Sequence, residues 1–178
     1  MKSILSAVCC VALCCLPALA QHKHGKEAAK ATPMTDQEFV DFAGQTDMLE
    51  AHLGQLASSQ GEGQGVKDYA QMLTTDHTSD YSQLTAAAAK ANLNVPKGLD
   101  AAHDKMIAPL EKLKGAAFDH RFIQEMIMGH TKAIAVYTKE SNDATSPDIK
   151  AYAAAALPTL QKHLDGAKDL EKTPAAKK

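Results

Sequence analysis

The sequence predicts an all-α protein, a four-helix bundle whose second and third helices are joined by a long crossover. Three observations carry this. Four stretches of about 25 residues each repeat apolar side chains at helical period. Breakers separate them: Gly61-Glu62-Gly63-Gln64-Gly65, then Asn94-Val95-Pro96-Lys97-Gly98, then the turn from Asn142 to Ser146. Only 4% of residues are aromatic, none is Trp and alanine is abundant, which suits closely approaching helices better than a sheet.

The chain opens with a secretion signal over residues 1–20. Lys2 supplies the positive start, Ile4 to Leu16 the apolar core and Ala18-Leu19-Ala20 the cleavage site. That run is too short to span a bilayer, so cleavage near Ala20 leaves no transmembrane segment and a periplasmic or secreted protein. Cys9, Cys10, Cys14 and Cys15 all lie inside the signal. The mature chain therefore has no disulfide framework, no thiolate metal site and no thiol catalysis. Its charge is near balance and no basic block stands out, which argues against a nucleic-acid partner. Residues 21–34 are polar and lysine-rich and read as a flexible tail. Within it, His22 beside an N-terminal Gln21 amine could chelate Cu(II), unless Gln21 cyclises.

The bundle itself is expected over residues 35–171. Thr35 to Glu38 is a capping box that opens helix 1 at residue 36. Its stripe runs Phe39, Phe42, Thr46, Leu49, Leu53, Leu56 and Ala57, with Glu50 at the border of the buried face and His52 turned outward. The glycine-rich turn after residue 60 makes helices 1 and 2 an antiparallel hairpin. Helix 2, about Val66 to Asn92, carries Tyr69, Leu73, His77, Tyr81, Leu84 and Ala88 inward. The crossover holds a short helix from Leu99 to Lys114, interrupted at Pro109, with Asp100 and His103 as a surface pair. One crossover of this length is the topology of ferritin-like folds. Helix 3, Ala116 to Ser141, places Phe118, Phe122, Met126, His130, Ala133 and Tyr137 on one face, beside an unexplained Gly129. Ser146-Pro147 starts helix 4, which Pro158 should kink. Residues 172–178 form a disordered tail.

Each long helix offers one polar candidate on or beside its apolar stripe: Glu50, His77, His130 and His163. At 1.5 Å per residue, all four lie about 15–24 Å from their helix ends, near the middle of the bundle. Three imidazoles and a carboxylate form a donor set suited to a transition metal ion, Zn²⁺, Cu²⁺ or Fe²⁺. Asp47 and Asp80, each one turn away, are candidates for further ligands or for acceptors that orient the imidazoles. Met126, one turn from His130, is a candidate soft ligand for copper and otherwise fills the core. Di-iron carboxylate sites need Glu-x-x-His, whereas Thr74, Ile127 and Leu160 stand three residues before the histidines. A ferroxidase centre is disfavoured accordingly.

Over Phe39 to Leu170 the chain resembles a family of exported bacterial proteins known as domain of unknown function 4142. The matching pieces are Glu50 with Leu53-Gly54-Gln55-Leu56-Ala57, Met72 with Asp76-His77, and Gly115-Ala116-Ala117-Phe118-Asp119. His130 and Leu157-Pro158-Thr159-Leu160 with His163-Leu164 complete the set. The resemblance implies a ferritin-like helical fold and a periplasmic or outer-membrane-associated location. It implies no activity. Three functions then compete: a metal-binding protein of the envelope, a metal-free structural or interaction module, and a metal-dependent redox enzyme. No nucleophile elbow, phosphate loop or HExxH supports an enzyme. A homodimer stays open, because an apolar stripe reads the same facing a helix or a second chain.

Overall fold

The computed structural model describes residues 34–172; the expected secretion signal and nearly all of both expected tails lie outside the described residues. Five helices are described: α1 Asp36–Gln60, α2 Gln64–Lys90, α3 Ala101–Glu111, α4 Gly115–Asp143 and α5 Pro147–Lys172. Helices α1, α2, α4 and α5 are the long helices 1–4 expected above. The helices start where local chemistry stops the chain from doing anything else. Thr35 accepts from the Glu38 amide while the Glu38 carboxylate takes the Thr35 amide at 2.7 Å, the reciprocal capping box. Asp100 caps α3 through the amides of Ala102 and His103. At the end of α2, Asn92 turns to φ 56° and Leu93 N–H reaches back to the Ala88 carbonyl at 2.9 Å, closing a Schellman turn. Gly115, at φ +61°, sits in the one backbone region that favours glycine and starts α4.

Loop contacts define the direction of each helix. Asp119, near the start of α4, accepts from the amides of Glu62 and Gly63 at 3.0 and 2.8 Å, so α4 begins beside the α1–α2 turn. Asp36, at the start of α1, accepts from Thr145 and Ser146 at 2.8 and 2.7 Å, so the α4–α5 turn lies at the opposite end. Gln37 donates to the Asn94 carbonyl at that same end. The connection from Ala91 to Lys114 therefore runs the length of the bundle, as expected. It packs across α1 and α4, pinned by Gln45, whose side chain bonds Gly98 O and Asp100 N at 2.9 Å each.

Two expectations shift. Helix α3 continues through Pro109 rather than breaking there, with Ile107 and Leu110 buried in the core. Met34, assigned to the tail, packs against Phe39 and its neighbours.

The core comes in two apolar clusters. One, toward the α1–α2 turn, contains Leu53, Tyr69, Leu73, Phe118, Phe122 and Met126. The other, toward the α4–α5 turn, contains Phe39, Leu84, Tyr137, Ile149, Tyr152 and Leu160. Between them lies a layer of buried polar side chains.

Candidate metal centre

That layer consists of Asp47 and Glu50 from α1, His77 from α2, His130 from α4 and His163 from α5, each at most 3% exposed. The helices converge there because each places its polar residue midway between two apolar ends. Glu50 is not at the border, as its position in the stripe suggested; it is wholly inside. Gly129 explains this. A Cβ at that position would stand 3.1 Å from Glu50 Oε1, so glycine is what lets the carboxylate lie against α4.

The hydrogen-bond partners assign the tautomer of each ring. His130 Nδ1 stands 2.9 Å from the Met126 carbonyl, an acceptor only, so Nδ1 carries the proton and donates. His77 Nδ1 donates to Asp47 Oδ1 at 2.9 Å. His163 Nε2 donates to Asp76 Oδ2 at 2.9 Å. Each ring is thus held from outside by its N–H, the arrangement that orients imidazoles around metal ions. The remaining nitrogens turn inward. His130 Nε2 and His163 Nδ1 face each other at 3.2 Å. Glu50 Oε2 lies 2.9 Å from His77 Nε2 and 3.0 Å from His130 Nε2. Both Glu50 Oε2 and His77 Nε2 are nevertheless buried without a hydrogen bond. One ring nitrogen from each of the three histidines falls within 4.8 Å of the other two.

Such a group needs a positive charge. Burial pushes His163 down to about 4 and lowers His130, so both rings stay neutral. His77 behaves oppositely: burial lowers it, but the Glu50 charge beside it and the hydrogen bond to Asp47 outweigh that and lift it to about 10. Burial raises Glu50, yet the facing imidazoles bring its carboxyl down to about 2. Burial dominates at Asp47, which rises to about 7. Without a metal, the neighbouring carboxylates favour a proton on His77 as the compensating charge.

The other candidates fall in different places. Asp80 accepts from the Tyr152 hydroxyl at 2.7 Å rather than from an imidazole. Met126 packs its side chain in the apolar cluster and gives the site only its carbonyl. His52 is exposed, and His103 pairs with Asp100 at 2.8 Å on the surface. Asp76 is the residue sequence reasoning missed. It precedes His77 directly, so helical geometry turns it about 100° away, and only the approach of α5 brings it to His163. Tyr69 adds a second brace to that turn, its hydroxyl donating to the His163 carbonyl at 2.9 Å.

Residues 21–170 match the family described as domain of unknown function (DUF4142), and the chain belongs to that family. No curated protein matches the chain. Among solved structures, a DUF305 fragment from Deinococcus radiodurans superposes with TM-score 0.66 at 18% identity, over 79% of this chain and 96% of that one. CopM in its Cu(II)-bound form gives 0.65 at 18% identity, over 79% and 98%. CopM in its Cu(I)-bound form gives 0.63 at 17% identity, over 77% and 95%. At these identities the likeness establishes the helical-bundle fold.

Proposed function

We propose that this member of the DUF4142 family binds one transition-metal ion in its bundle core and serves metal handling in the cell envelope. The ligands are His77 Nε2, His130 Nε2, His163 Nδ1 and Glu50 Oε2. One observation carries the reading: His130 Nε2 and His163 Nδ1 meet at 3.2 Å with neither ring having a proton to place between them. Ligand nitrogens about 3.3 Å apart are what a tetrahedral ion with bonds of about 2.0 Å requires. A metal also satisfies Glu50 Oε2 and His77 Nε2, two of the three atoms of the layer, with Asp47 Oδ2, that lack a hydrogen bond. Among Zn²⁺, Cu²⁺ and Fe²⁺, the order of divalent affinities favours copper at a nitrogen and oxygen site. The fold shared with copper-bound CopM supports the same choice. The signal sequence at residues 1–20 supports export.

A second reading is a metal-free polar layer in an envelope interaction module, and one observation favours it: His77 can itself hold the compensating proton. Elemental analysis of the untagged protein, purified from the periplasm without chelators, separates the two. About one equivalent of a single metal is expected, and its loss from His77→Ala and His130→Ala. No metal as isolated, and no uptake of Cu(II), Zn(II) or Fe(II) on reconstitution, would decide for the metal-free layer.

A further inference from the structure

The ion must reach a layer that is buried on all four helices, and the bundle is not equally closed on every side. The α1–α2 seam is tight: a Cβ at Gly54 would lie 2.4 Å from Thr74 Oγ1 and 2.7 Å from the Ala70 carbonyl. The crossover and α3 lie across α1 and α4. The α2–α5 seam packs more loosely than either hairpin. A small cleft of about 10 Å³ lies there, lined by Asp76, His77 and Asp80 from α2 and by Ala156, Thr159, Leu160 and His163 from α5.

We propose that this cleft is the port through which the ion enters and leaves, with Asp76 as the carboxylate that draws it to the mouth. The proposal rests on the metal-binding reading above. Two ligands of the site, His77 and His163, form the floor of the cleft. At its mouth, Asp76 keeps 29% of its side chain exposed while its Oδ2 holds His163 Nε2 at 2.9 Å. It therefore meets water on one side and a ligand ring on the other. Asp80 stands one turn along α2, partly exposed, with Tyr152 holding one oxygen. Two carboxylates at the mouth raise the local concentration of a cation. Lys162, 63% exposed with Nζ 3.8 Å from Asp76 Oδ2, opposes them. Pro158 lies in the α5 turn that lines the cleft and has no N–H for the Ala154 carbonyl, which leaves that turn one backbone bond short.

Rapid mixing of the metal-free mature protein with Cu(II) tests this. Asp76→Asn keeps an oxygen for His163 Nε2–H but removes the charge. It should slow uptake about tenfold and flatten the dependence of the rate on salt. Lys162→Gln should speed uptake, an effect of opposite sign that a merely structural role would not produce. Thr159→Phe, at an exposed position on the rim, should slow uptake and chelator-driven release alike while the amount bound at equilibrium stays the same. Gln55→Phe, exposed on α1, should leave both rates unchanged. Wild-type rates in Thr159→Phe, with normal loading, would overturn the port and leave the metal site standing. A wild-type protein that takes up no Cu(II) would overturn the site and the port together.

Discussion

His77 is where residue chemistry becomes a measurable property of the whole protein. Its folded value of about 10 lies above the ordinary 6.5, so between these limits the folded chain holds a proton that the unfolded chain has released. The stabilisation is complete below 6.5 and is lost as pH rises through 10. In chelator, the thermal midpoint should therefore fall steadily from pH 7 to pH 10. His77→Gln should flatten that decline, as should saturating metal, because the coordinated ring has already given up its proton. A wild-type midpoint that is level across this range would contradict the charge balance drawn for the layer. Asp80 shows how far residue identity alone reaches. Its spacing from His77 placed it on the same face, yet the Tyr152 hydroxyl of α5 claims it.

Among the elements, the α1–α2 hairpin depends on one glycine. Gly54 faces the Ala70 carbonyl and Thr74 Oγ1 at distances no Cβ can share, and one of these neighbours is backbone that cannot rotate aside. Gly54→Ala should separate the two helices and cost about 1–3 kcal/mol in urea unfolding, with the midpoint shifted and the slope unchanged. An unaltered midpoint would mean that the hairpin has slack the packing does not show. Helix boundaries were legible because they are local. The Thr35 capping box and the Ser146-Pro147 start act within a single turn, and both are observed where the sequence put them. The prolines were harder to read. Pro109 removes one backbone bond, but Ile107 and Leu110 are buried on either side of it and α3 stays whole.

The whole bundle is two apolar clusters separated by a layer of buried polar side chains, whose desolvation costs stability. Replacing Asp47 and Glu50 by Leu and Met, together with leucine at His77, His130 and His163, should join the clusters into one core. The expected gain over metal-free wild type is about 1–4 kcal/mol, with all metal uptake lost. A less stable variant would show that the layer specifies the fold rather than interrupting it. The sequence by itself determined the helices, their order, the presence of a long crossover and the shared depth of Glu50, His77, His130 and His163, because each follows from period, caps and rise per residue. Only the tertiary structure decided which nitrogen of each ring turns inward, that Asp76 braces His163, and that Glu50 lies fully inside. These depend on the rotation of each helix about its axis and on how closely Gly129 and Gly54 let neighbours approach, and such contacts between distant segments are set by packing the whole bundle at once.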